Sequence, residues 1–138
     1  IEEIFKREDL TVTDLDILCN ATNWRARALV SKHPNVTEEQ LLKLAKDEEK
    51  RVKLQLAKRT TIPGKVILEL VFGEEKGNNI KKLVLKKDLD AEALIELSKR
   101  GDDYVKKVIS KREDLPDEAK AILSQDSNET VRSNLKAS

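Results

Sequence analysis

Few side chains in this sequence could do chemistry, and they stand alone. There is one histidine, His33, and one cysteine, Cys19. A metal site needs three or four ligands, and no second His or Cys stands near either. The threonines and serines have no histidine partner, so a nucleophilic triad is not credible. Adjacent acids such as Glu38-Glu39 read as helix-start charges rather than an acid/base pair. Gly64 and Gly73 form no phosphate-binding loop. The expectation is a chain that is not an enzyme and needs no metal or cofactor. One cysteine also rules out an internal disulfide and fits a reducing, cytoplasmic setting.

Cations are the other residues with chemical potential, and they recur at fixed intervals. Five apolar residues precede helix-start signals: Leu10, Val36, Ile62, Leu89 and Leu115, spaced by about 26 residues. Counted forward from these anchors, position +17 is Arg27, Lys53, Lys81, Lys106 and Arg132, basic each time. A two-residue insertion near Gly73–Asn79 shifts the third unit. Position +22 is Lys32, Lys58, Lys86 and Lys111, joined by Lys6 upstream.

Cations at +22 fall where a helix should end and would meet the negative end of its dipole, worth about 0.3–1 kcal/mol each. Cations at +17 fall near a helix start, where their sign is wrong and something must compensate. Two readings stand. One is an ion pair with an acid six residues upstream, Asp47 for Lys53 and Asp126 for Arg132. The other is a basic strip that meets phosphates or an acidic partner.

The same count defines the elements that must carry these residues. Position +8 is Leu18, Leu44, Leu70, Leu97 and Leu123; position +5 is Leu15, Leu41, Ile67, Leu94 and then Lys120. These positions share one helical face. Position +16 (Ala26, Val52, Ile80, Val105, Val131) and position +20 (Val30, Leu56, Val84, Ile109, Leu135) make a second stripe. Each unit therefore reads as two short helices, the second short enough to be partly 3₁₀.

Thr37 and Gln40 have capping-box spacing. Pro63 and Pro116 mark helix starts, and Gly73 and Gly101 mark ends. With 38% charged residues and 3% aromatics, the core must be aliphatic and much of the chain solvated. The longest apolar run is broken by Glu69, too short to span a bilayer, so no membrane partner is expected.

Such pairs cannot bury their stripes alone and must stack. The expected fold is all-α: a single-domain, right-handed α-solenoid of about five repeats, 10–35, 36–61, 62–88, 89–114 and 115–138, after a half-repeat at 1–9. The fifth repeat ends at Ser138 and leaves an apolar end, so end-to-end self-association is expected.

The stretch His33-Pro34-Asn35-Val36-Thr37-Glu38-Glu39-Gln40-Leu41-Leu42-Lys43-Leu44-Ala45-Lys46-Asp47, followed by Val52-Lys53, resembles the unit of the leucine-rich repeat variant family, whose repeats are HEAT-like. Asn23–Val30 and the C-terminal Asp126, Val131 and Arg132 resemble it too. The period here is longer than that family's usual unit. The resemblance implies alternating α and 3₁₀ helices in a right-handed superhelix and no settled activity. Members with an iron–sulfur cluster use a separate cysteine cluster, which Cys19 alone does not supply.

The functional expectation is a non-catalytic scaffold for macromolecular, foremost protein–protein, interaction. The alternative is a nucleic-acid-binding solenoid using the +17 and +22 cations. Trp24, the only tryptophan, is a candidate interface anchor or a cover for the core edge. Cys19 reads as a buried, inert thiol and His33 as a surface residue of the basic ladder.

Overall fold

The computed structural model describes residues 10–74 and 76–137. The half-repeat at 1–9, with Lys6, lies outside the described residues. Among those described, the chain is all-helical, with α1 Val12–Cys19, α2 Trp24–Val30, α3 Glu38–Ala45, α4 Lys50–Ala57, α5 Gly64–Phe72, α6 Asn79–Val84, α7 Ala91–Arg100, α8 Asp103–Ile109, α9 Asp117–Ser124 and α10 Glu129–Ala137.

Local chemistry sets the boundaries. Thr37 caps α3: its hydroxyl accepts from the Gln40 N–H at 3.1 Å, and Gln40 Oε1 accepts from the Thr37 N–H at 3.0 Å. Thr11 and Asp14 form the same box at α1. Each box is worth about 1 kcal/mol. Pro63 and Pro116 precede α5 and α9 and cap them with no side-chain bond. Gly73 and Gly101 end α5 and α7.

The even-numbered helices differ from the 3₁₀ expectation: all five are α-helical. Side chains that fix the first turn accompany this in all five. Asn23, Glu49, Asp102 and Asn128 accept from backbone N–H groups at the starts of α2, α4, α8 and α10, and Glu74 does so for α6.

Two rows of packing run along the chain. Consecutive helices pair. The odd-numbered helices pack α1 on α3, α3 on α5, α5 on α7 and α7 on α9. Among the even-numbered helices, α2 packs on α4, α4 on α6 and α8 on α10, while α6 and α8 are much more loosely apposed.

Between the rows lies one aliphatic core. It contains the expected stripes, from Leu15, Leu41, Ile67 and Leu94 of the odd row to Val30, Leu56, Val84 and Ile109 of the even row. Each buried Leu or Ile contributes roughly 1.5–3 kcal/mol. Lys120 breaks the odd stripe and is exposed; Ala119, one residue earlier, takes its place in the core.

Polar side chains also tie neighbouring pairs together. Gln40, 4% exposed, donates from Nε2 to the Val12 carbonyl (2.9 Å) and to Asp16 Oδ1 (2.7 Å). Asn35 Nδ2 donates to the Leu10 carbonyl at 3.0 Å, and Asn134 Nδ2 donates to Ser110 Oγ at 2.9 Å.

Candidate interaction surface

The basic positions separate into three environments. The +17 cations are half-buried or buried and mostly face acids of the following helix pair. Arg27 Nε lies 2.8 Å from Asp47 Oδ2, and Nη2 donates to Oδ1 at 3.3 Å. Lys81 Nζ lies 2.9 Å from Asp102 Oδ2, and Lys106 Nζ lies 2.8 Å from Asp126 Oδ1. Each acid also accepts a backbone N–H a few residues downstream: Asp47 from Glu49, Asp102 from Val105, Asp126 from Asn128.

This corrects the expected pairing. Asp47 and Asp126 are the acids used, but their cations are Arg27 and Lys106, from the preceding pair. The physical reason is the packing of pair on pair, which sets each even helix beside the loop after the next odd helix. Arg132 uses Nη1 instead to donate to the Asp126 carbonyl at 2.5 Å.

Lys53 also departs from the pattern. The insertion places Glu74 in the corresponding loop, and both its oxygens accept backbone N–H groups, from Ile80 at 3.0 Å and Lys81 at 2.9 Å. Lys53 has no ion pair among the described residues.

Electrostatics follow these contacts. The Asp47 carboxylate holds the Arg27 guanidinium above its ordinary pKa. The Lys106 ammonium, then the Asn128 N–H, hold Asp126 below the usual carboxylate range. Burial works against the charged Asp102. The Val105 N–H and the Lys81 ammonium outweigh it, so the net shift is downward.

Position +23 forms a second structural set. Arg59 Nη1 donates to the Ser31 carbonyl at the end of α2. Arg112 Nη1 donates to the Leu85 and Lys87 carbonyls after α6, at 2.9 and 3.1 Å. These guanidinium groups reach back one pair and satisfy carbonyls at a helix end, on the negative side of its dipole. His33 belongs to this position and is only 2% exposed, a correction to its reading as a surface residue. Its Nδ1 accepts the Asn35 N–H at 3.0 Å. The sequence signal was a basic residue beside each +22 lysine; its direction needed the packing.

The +22 lysines differ from both sets. Lys32, Lys58, Lys86 and Lys111 are exposed, and none forms an ion pair among the described residues. Lys32 lies at the junction of two adjoining clefts. One is lined by Trp24, Arg25, Ala28, Leu29, Lys32 and Gln55. The other is lined by Lys32, Lys58, Arg59, Thr60 and Thr61. Neither lining contains an acid.

A cleft on the odd-numbered helices has the opposite character, with Glu38, Asp90, Glu92 and Glu96 against the single cation Lys65. A neighbouring one mixes Lys46, Lys65, Glu69 and Arg100 around Leu42, Leu68 and Phe72.

Trp24 packs half-buried against the core. The Arg51 guanidinium lies 4.0 Å from its ring centroid and that of Arg25 4.9 Å. Glu49 orients Arg51 through a 2.8 Å bond. Sequence reading identified Trp24 but not these two arginines, whose places depend on α2 packing against α4.

Cys19 is buried, and burial raises its thiol pKa to about 11. Among the described residues no three His, Cys, Asp or Glu side chains gather in a way that could hold a metal ion, and no helix is long and apolar enough to cross a membrane. No family model, no curated protein and no solved structure matches the chain.

Proposed function

We propose that this chain is a non-catalytic, cytoplasmic repeat scaffold that binds a protein partner through the exposed face of its even-numbered helices. In this reading the helix pairs are five repeats of about 26 residues in a right-handed α-solenoid, related in style to leucine-rich repeat variant proteins. The alternation of odd-on-odd and even-on-even packing supports it.

The observation that carries the functional reading is the sorting of cations. Arg27, Lys81 and Lys106 are used inside, between helix pairs. Lys32 and Lys58 remain on clefts that hold no acid, and the first of them sets Trp24, Ala28 and Leu29 beside Lys32. Charge left unneutralised next to apolar surface suits recognition by an oppositely charged partner.

A nucleic-acid partner is the second reading, favoured by the exposed +22 lysines. It is the weaker one because the inward pairing of three +17 cations leaves fewer charges for phosphates.

The test uses a photo-reactive residue in place of Gln55, on the even-helix face, or in place of Leu68, on the odd-helix face, in extracts of the source cells. The expected result is a nuclease-resistant polypeptide adduct from position 55. An adduct that disappears with nuclease would establish the nucleic-acid reading. Adducts only from position 68 would move the interface to the other face and sink the proposal.

A further inference from the structure

Resting on the scaffold reading, we infer that the trough formed by the two adjoining clefts across α2 and α4 binds an extended acidic peptide segment that carries an apolar side chain between its acids.

Three observations converge on that occupant. The first is charge. The trough presents Arg25, Lys32 and Lys58 without a counter-acid in its lining. A partner that supplies carboxylates removes this imbalance, and one that supplies cations adds to it.

The second is spacing. Neighbouring packed helices sit about 8–10 Å apart, so Lys32 and Lys58, at matching ends of α2 and α4, offer cations at that interval. A peptide in the extended polyproline-II conformation rises about 3.1 Å per residue with three residues per turn, so every third side chain returns to the same face about 9 Å further on. An acid at every third residue therefore keeps step with the lysines, and Lys86 at the end of α6 continues the same series.

The third is the floor. Ala28 and Leu29 lie in the cleft between Trp24 and Lys32. Leu83, 38% exposed, occupies the position on α6 that Leu29 holds on α2. Ala28 and Leu29 thus lie between the cations Arg25 and Lys32, where they fit an apolar residue between the acids that those two cations take, while the lining around Lys58 is polar.

A nucleic acid fits less well. Non-specific single-strand binding relies on aromatic faces for stacking. Here the Trp24 ring is already covered by the Arg51 guanidinium at 4.0 Å, which Glu49 holds in place. A base would have to displace that arginine from the ring face it covers.

The experiment uses a labelled peptide of about twelve residues, with Glu at every third position and Leu between, at about 50 and about 200 mM salt. Trp24, as the chain's only tryptophan, gives a second readout through its emission. The expected result is saturable binding at low salt, a several-fold loss at high salt and a change in Trp24 emission. Lys58→Glu should weaken binding at least tenfold. Lys65→Glu, on the opposite clefts, should not. Replacing the peptide's Leu by Ser should also weaken it. Circular dichroism checks that the variants fold, and both substituted lysines are exposed.

Equal effects of Lys58→Glu and Lys65→Glu would overturn the site. Binding of a single-stranded oligonucleotide with no binding of the peptide would overturn the occupant. If neither binds while position 55 still cross-links a polypeptide, this inference falls and the scaffold reading survives.

Discussion

Arg27 and Asp47 belong to successive helix pairs, and a forked contact joins them, Nε to Oδ2 at 2.8 Å and Nη2 to Oδ1 at 3.3 Å. The same guanidinium donates from Nη1 to the Ala21 and Thr22 carbonyls at 2.8 and 3.0 Å. One side chain thus fixes the turn before its own helix and the loop of the next pair. Arg27→Lys keeps the charge but loses the fork. It should cost about 1 kcal/mol, and Arg27→Ala about 2–3 kcal/mol, since the latter strands a largely buried carboxylate. Urea unfolding measures both; a cost under about 0.5 kcal/mol for the alanine variant would class the pair with ordinary surface bridges.

Lys53 and Lys106 hold the same position in different pairs but should respond unequally to substitution. Lys106 is bound to Asp126 at 2.8 Å, so Lys106→Met should destabilise by about 2 kcal/mol. Lys53 has no ion pair among the described residues, so Lys53→Met should change stability by less than about 0.5 kcal/mol. Comparable losses in the two variants, again by urea unfolding, would show that the insertion at Gly73–Asn79 does not break the ladder.

Acid should weaken the fold through the same contacts. Asp126 is held below its ordinary pKa by Lys106 and the Asn128 N–H, and Asp102 is also shifted down. A carboxylate with a depressed folded-state pKa contributes stability that is complete above the unfolded value, about 3.9. That contribution is lost as pH falls below it, through the folded value. Urea midpoints from pH 7 to pH 2 should therefore fall most steeply below about pH 4. Asp126→Asn should be less stable at pH 7 and show a shallower acid decline.

Two glycines separate steric from conformational cost. Gly101 has φ −67° and ψ 152°, which any residue adopts. A Cβ there would stand 2.5 Å from the Leu97 carbonyl oxygen and 2.7 Å from Val105 Cγ1. Gly77 has φ +90° with nothing within 4 Å. Gly101→Ala should cost about 1–3 kcal/mol through overpacking. Gly77→Ala should cost about 1 kcal/mol through its backbone alone. Thermal unfolding orders the two.

The Cys19 thiol, buried with a pKa near 11, should be inert in the folded chain. Alkylation at pH 8 should be slow and should accelerate with urea in parallel with unfolding, since reaction requires an exposed thiolate. Rapid labelling without urea would mean that α1 opens locally.

What the sequence disclosed was local and periodic. The Thr37–Gln40 box is where its spacing put it, as are the helix ends at Gly73 and Gly101. The apolar columns from Leu41 to Leu94 and from Leu56 to Ile109 are in the core because helical spacing alone decides which residues share a face. What it hid depended on contact between pairs. Asp47 is six residues from Lys53 and twenty from Arg27, yet it bonds Arg27. Chain proximity selected the wrong cation because the stacking offset, not the chain, brings the charges together. His33 was misplaced for a related reason. Its counterparts Arg59 and Arg112 look like solvated surface in sequence, but they reach back to carbonyls at the ends of α2 and α6. The insertion before α6 was visible as a shift of register, while its effect on Lys53 was not.

The loose apposition of α6 and α8 gives the molecule an uneven stiffness. Along the odd-numbered helices apolar packing is unbroken, so that side resists stretching. Along the even-numbered helices the α6–α8 step is spanned by polar links, Lys81 to Asp102 and Arg112 to the Leu85 and Lys87 carbonyls. Asp102 is 53% exposed, so salt weakens its link. Salt should therefore loosen that step before the Arg27–Asp47 and Lys106–Asp126 steps, whose paired side chains are at most 20% exposed. The trough across α2 and α4 lies wholly on one side of it.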